Sequence, residues 1–187
     1  MDFGRKISNW LWQDGIIPED DMEIVQYGIS QLLSLLLNLF TLLCICFLCG
    51  TVFQGMVFLV LFWPMRIYAG GYHANTKLRY YLLTTLAELI LAMAWRTSWE
   101  WGKITIGTIL LASQVTILAL APQENANKRI DVAERRNYRM KLIRILLIQD
   151  ITFCIAFYAE AQRIYSTIIC LQVLMAVLLV AGKWKNG

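Results

Sequence analysis

The chain reads as an all-α polytopic membrane protein: six transmembrane helices preceded by a short amphipathic N-terminal helix. Three observations predict this. Of its 187 residues, 58% are hydrophobic and only 16% charged, against about 45–50% and about 25% in ordinary soluble domains. Mean hydropathy is +0.55. The apolar residues fall into long runs, and the basic residues cluster between every second pair of them. This composition excludes a soluble enzyme, a disordered tail and a collagen-like chain, and favours a single integral membrane domain over 1–187.

Residues 3–12 (FGRKISNWLW) space Phe3, Ile7, Trp10 and Leu11 on one side of a helix. That predicts a short helix at the bilayer interface, with Trp10 and Trp12 at headgroup depth. Gly15 and Pro18 end it. The acidic cluster Glu19, Asp20, Asp21 and Glu23 then suits the N-terminus of the first span, where negative charge meets the positive end of the helix dipole. No cleavable signal is expected. Residues 1–23 form the interfacial N-terminus.

Ile24 to Trp63 is a 40-residue run without a charge. One helix of that length would be about 60 Å, twice the hydrocarbon thickness. It should fold back once, most cheaply at Gly50–Gly55. The second span either stops at Pro64, continues past it with a kink, or is partly re-entrant. Tyr80–Trp95, Ile104–Ala121, Leu142–Tyr158 and Ile164–Val180 complete the six.

The 17 basic residues orient the bundle. Six spans put the N-terminus, 64–79, 122–144 and the C-terminus on one side, and leave Arg96, Lys103 and Arg163 alone on the other. The positive-inside bias predicts cytoplasmic termini in a multi-pass membrane protein. The basic 122–144 loop, whose residues 128–144 can form a helix with Arg135, Arg136 and Arg139 exposed, is then a topology signal and a surface for anionic headgroups or an acidic peptide. It is not read as a nucleic-acid site. The five cysteines, three of them (Cys44, Cys46, Cys49) in one apolar run, do not form a disulfide framework.

The only histidine is His73, in Pro64-Met65-Arg66-Ile67-Tyr68-Ala69-Gly70-Gly71-Tyr72-His73-Ala74-Asn75-Thr76-Lys77. Gly70-Gly71 permits backbone conformations closed to other residues. Arg66 is an interfacial cation suited to a substrate carboxylate or a developing oxyanion. An imidazole is a general base at neutral pH but needs a group to deprotonate. On a helix, Tyr80 would return to nearly the same face as His73 after about two turns. A glycine turn with a topology-setting arginine is the competing structural reading. Glu88 and Asp150 lie within spans, where a charge should face the bundle interior. Glu88 suits a partner on another span, and Asp150 an interfacial place near Arg144. Asn38, Gln54 and Gln114 suit interhelical hydrogen bonds.

Arg66-Ile67-Tyr68-Ala69-Gly70-Gly71-Tyr72-His73-Ala74 resembles the R-x-Y-A-G-G-Y-H-A core of the accessory gene regulator B (AgrB) proteins, membrane cysteine endopeptidases of Gram-positive quorum sensing. The likeness extends to the opening helix, to Glu19–Gly28, and to Ala121-Pro122-Gln123-Glu124-Asn125-Ala126-Asn127-Lys128. It implies a precursor peptide of the AgrD type as partner, cut by a cysteine through a peptidyl thioester that then closes to a thiolactone or lactone ring. It implies no cofactor and no metal, and a homodimer. His73 matches the family's catalytic histidine; Arg66 and Gly71 match positions required for activity, with Gly70 beside them as substrate and oxyanion support. The family's cysteine lies seven residues after the histidine, where this chain has Tyr80. Three readings follow: a diverged relative that keeps the fold and the peptide site without the covalent step, a chain whose nucleophile has been replaced, or a chain in which Cys44, Cys46 or Cys49 substitutes. A small transporter is the alternative from another class, resting only on intramembrane polar residues.

Overall fold

The computed structural model describes residues 3–72, 74, 76–97, 102–124 and 131–186, and every regular element among them is helical. Helix α1 (Phe3–Gln13) leads through a single 3-10 turn (Glu19–Asp21) into α2 (Met22–Cys49). α3 (Val52–Ala69), α4 (Lys77–Arg96), α5 (Lys103–Leu120), α6 (Val132–Tyr158) and α7 (Gln162–Asn186) follow.

Five of these helices, α2, α3, α4, α5 and α7, are long and apolar enough to cross a membrane, so the chain is a multi-pass membrane protein. The expected count of six is one short by this measure. The difference lies in α6, whose middle carries Lys141, Arg144 and Asp150 among apolar residues and whose first turns are strongly basic. α6 nonetheless packs along α3 and α7 with Leu142, Leu146, Gln149 and Phe153 buried.

The uncharged run does turn once, at Gly50. This residue takes the left-handed conformation (φ +70°), and the N–H groups of Gly50 and Thr51 close back on the carbonyls of Phe47 and Cys46 at 3.2 and 2.8 Å. That Schellman-type cap satisfies the last carbonyls of α2, which have no water to turn to in lipid. α2 starts without a side-chain cap; Glu19–Asp21 and Glu23 supply only negative charge to its first turn.

α7 is the hub. It contacts α3, α4, α5 and α6, and Ile168, Ile169, Leu171, Met175 and Leu179 are at most 1% exposed. A helix apolar all round is stable only where neighbours cover every face, and α7 has no charge between Arg163 and Lys183. α2 lies outside, against α3 and α4, and α1 lies against α2. The small face of α1 makes that contact. Gly4 and Ser8 are buried, and a Cβ on Gly4 would stand 2.7 Å from the Ser30 hydroxyl oxygen. Trp10 and Trp12 remain 55% and 43% exposed, as an interfacial role requires; the Phe3 side chain lies outside the described residues.

α3 continues through Pro64 to Ala69 rather than stopping there. Proline has no N–H for the carbonyl four residues back, at Val60, and disturbs that turn. Gln149 of α6, 1% exposed, donates its amide to the adjacent Leu61 carbonyl at 3.2 Å and accepts from Gln172 of α7 at 3.4 Å. A neighbouring side chain thus supports the proline turn inside the bundle. Gln149→Leu is expected to destabilise the protein by about 1 kcal/mol, the scale of interhelical hydrogen bonds in lipid. Unfolding in mixed micelles would measure it, and an unchanged midpoint would show that the proline turn needs no support. Of the three residues expected to bond between helices, Gln114 does so, reaching the Asp150 carboxylate. Asp150 is therefore tied to α5. Asn38 bonds within its own helix, to the Ser34 carbonyl at 2.7 Å, and Gln54 is buried.

Candidate functional site

The glycine pair closes α3. Gly70 (φ +73°) caps the helix, and Gly71 (φ +112°) follows in a second conformation that side chains resist. Space excludes a side chain as firmly as torsion does. A Cβ on Gly70 would lie 2.5 Å from the Gln123 carbonyl oxygen; one on Gly71 would lie 2.5 Å from the Arg66 guanidinium and 3.2 Å from the Leu178 carbonyl oxygen.

Three elements grip this loop. From α7, the Leu178 carbonyl accepts from the Tyr72 N–H at 2.9 Å. Gly182, one turn on, has no side chain because the Tyr72 nitrogen would stand 2.8 Å from its Cβ. From the segment after α5, Gln123 donates its backbone N–H to the Ala69 carbonyl at 3.0 Å and its amide to the Leu179 carbonyl at 2.7 Å. From α3 itself, the Arg66 guanidinium donates to the carbonyls of Gly70 and, at 2.5 Å, of Tyr72. Arg66 is thus first a brace of the loop backbone, and its remaining N–H donors are what it has for a ligand.

α4 begins only at Lys77, with the Thr76 hydroxyl accepting from the Arg79 N–H at 3.2 Å. The helix expected to carry residue 73 onto the face of Tyr80 is not present: 71, 72, 74 and 76 are non-helical, and Tyr80 stands at the first turn of α4. His73 and Asn75 lie outside the described residues.

Arg66 and Tyr80 nevertheless meet at one place. A cavity of about 330 Å³ runs between α2, α3, α4 and α7. Its polar lining is Asn38, Arg66, Tyr72, Tyr80, Thr84 and Glu88; the rest is leucine, isoleucine, aromatic and alanine side chains. Its size and its few polar groups on apolar walls fit a ligand pocket. Tyr80 is 42% exposed. None of the cysteines lines the cavity. Cys46 packs against Gly55 at the far end of α2, Cys49 ends that helix, and Cys44 is exposed.

The basic helix lies beside this end of the bundle, and it starts later than 128, at Val132, with the Asp131 carboxylate capping it at 2.7 Å. Arg135, Arg136 and Arg139 are exposed, and Arg135 pairs with Glu124 at 2.5 Å. Lys128 and Arg129 lie outside the described residues. Lys141 sits 5.0 Å over the Tyr68 ring, which meets Tyr138 edge-on at 5.4 Å.

Gln123 was not singled out by sequence reasoning, although its segment was. A lone glutamine after a span carries no signal of the contact it makes. The placement of Glu88 had a signal: Tyr80, Thr84 and Glu88 recur every four residues, one polar stripe along an apolar helix.

The chain is thus a helical multi-pass membrane protein with a clamped glycine loop beside a pocket between its spans. Its family is specific: the Accessory gene regulator B family model matches residues 5–180. The chain belongs to the AgrB family, membrane proteins that process quorum-sensing peptides. No curated protein and no solved structure matches it.

Proposed function

We propose that this protein binds an AgrD-type precursor peptide in the cavity between α2, α3, α4 and α7, and that Tyr80 in the nucleophile position withholds the covalent step. The observation that carries this reading is the lining of the cavity. Arg66 and Tyr80 share it beside the clamped glycine loop, while no cysteine does. The peptide enters from the cytoplasmic side, where both termini and the basic α6 surface lie. His73 serves as the general base of the inherited site, and Arg66 with Gly70 and Gly71 holds the peptide backbone and the oxyanion. A phenol of pKa near 10 is a poor replacement for a thiol as nucleophile.

With a thiol at position 80, the chemistry is complete. His73 takes the thiol proton, and sulfur attacks the scissile carbonyl carbon. The carbon–nitrogen bond breaks, and the proton passes to the leaving amine. A side-chain thiol or hydroxyl of the peptide then attacks the thioester, closing the ring and returning the thiol.

The test is co-expression with an AgrD-type precursor bearing a photoreactive residue. Cross-linking to this chain without a shortened peptide in the mass spectrum is the expected result. A shortened peptide made by the Tyr80 chain and abolished by His73→Ala would refute the withheld step; absence of any cross-link would refute peptide binding.

A further inference from the structure

A second cavity, of about 300 Å³, lies at the opposite end of the bundle from the glycine loop. Four spans end around it: the close of α2, the start of α3, the close of α4 and the start of α7 all contribute to its walls. Span ends lie at headgroup depth. Three polar side chains in the walls are buried, Thr51, Gln54 and Ser166 at 2%, 6% and 4% exposure. Arg96 and Arg163 stand exposed in the same walls. Neither guanidinium has an ion-pair or hydrogen-bond partner among the described residues, and no carboxylate among those residues lines the cavity.

Two helix starts add to this positive field. Thr51 is the N-cap residue of α3, yet its hydroxyl makes no capping bond and has no other hydrogen-bond partner among the described residues. The first-turn N–H groups of α3 therefore remain open to a ligand. α7 opens with Arg163 and no acidic residue in its first turn. A cation there opposes the positive end of the helix dipole. One anion in the cavity compensates both arginines, both helix starts and the buried hydroxyl.

We propose that this cavity binds a phosphate group, held by the Arg96 and Arg163 guanidinium forks and the Thr51 hydroxyl. Each fork suits a pair of phosphate oxygens. At headgroup depth the abundant anion is the phosphodiester of a lipid, and a basic pocket between span ends is a headgroup site. The apolar neighbours fit that source. Leu48 and Val52, flanking the turn that lines the cavity, are exposed and offer surface to acyl chains. A headgroup that carries its own ammonium would bring a third cation to the two arginines, so an anionic headgroup is selected over a zwitterionic one.

The probes are dioctanoylphosphatidylglycerol, its zwitterionic counterpart dioctanoylphosphatidylcholine, and inorganic phosphate. Each is titrated against the full chain in dodecyl maltoside micelles and read as a saturable rise in the unfolding midpoint. The original chain is expected to bind phosphatidylglycerol at least about tenfold tighter than phosphatidylcholine, the scale of one charge-assisted hydrogen bond. Arg96→Gln combined with Arg163→Gln should erase the preference. Arg136→Gln combined with Arg139→Gln removes the same charge from the basic face of α6 and should leave it intact. Thr51→Val should weaken phosphatidylglycerol binding severalfold. If the first double variant does not fold, its two single substitutions decide, each expected to reduce the preference. No preference in the original chain, or equal losses in the two double variants, would overturn the site. Inorganic phosphate separates the sources: failure to displace phosphatidylglycerol, the expected result, assigns the site to a lipid headgroup, and displacement assigns it to the phosphate group alone.

Discussion

Tyr80→Cys is expected to convert a chain that yields no shortened peptide into one that does. Position 80 lines the cavity beside Arg66 and stands one turn inside α4, whose capped N-terminus is at Thr76. The positive end of a helix dipole lowers a thiol's pKa and favours the thiolate. Cysteine is also smaller than tyrosine, so the cavity wall need not yield to it. The product should depend on His73: adding His73→Ala to Tyr80→Cys should slow processing by about 10²–10⁴-fold, the usual worth of a positioned general base. Tyr80→Ser, with the same size but a far weaker nucleophile, should stay silent. Mass spectrometry of the co-expressed precursor separates these outcomes. If Tyr80→Cys makes no product while still cross-linking peptide, the site has lost more than its nucleophile.

Arg66→Leu should unseat the glycine loop as well as weaken peptide binding. The substitution strips the donors from two carbonyls, those of Gly70 and Tyr72. Both carbonyls are half-buried, so water can replace part of what is lost, and the cost should approach about 1 kcal/mol for each bond. Denaturant titration in micelles should show the loss, and limited proteolysis should open the chain near 70–76. Arg66→Lys should rescue only part, because one ammonium cannot reproduce a planar fork reaching two carbonyls four and six residues away. Were Arg66 solely a substrate contact, Arg66→Leu would lower cross-linking yield and leave both stability and protease resistance unmoved.

Much of the architecture was legible in local chemistry. An uncharged run twice too long for the bilayer has to turn, and the glycine that permits a left-handed cap is where it turns. The hinge of α3 was less legible. Pro64 could end a helix or be absorbed by one, and the choice depended on whether a neighbour could supply a donor. Gln149 donates to the Leu61 carbonyl, next to the one Pro64 leaves without an N–H, across 88 residues of sequence. The relation of residue 73 to Tyr80 was misread because a helical period was extended across a segment whose Thr76 cap starts a new helix. The position of α6 was also ambiguous: its charges argue against a span, while its buried Leu142, Leu146 and Phe153 show that it belongs to the bundle.

At the candidate site the division is sharper. Arg66, Gly70, Gly71 and Tyr80 stood out in the chain because their residue types are unusual in such surroundings. Their mutual dependence did not. The glycine loop is held by Gln123 and by the carbonyls of Leu178 and Leu179, groups that carry no signal until the fold brings them together. Glu88 could be recognised as an intramembrane charge but not as one left without a partner.

By itself, then, the sequence determined that this is a multi-pass helical membrane protein, where most of its helices begin and end, and that the glycine loop and position 80 are its unusual features. Those follow from short-range causes: hydropathy over a helix length, glycine torsions, and the chemistry of single side chains. Only the tertiary structure decided that Arg66 braces a loop and that none of the cysteines lines the cavity. Hydrogen-bond satisfaction and cavity shape are set by packing among α2, α3, α4 and α7, and no local stretch of sequence contains them.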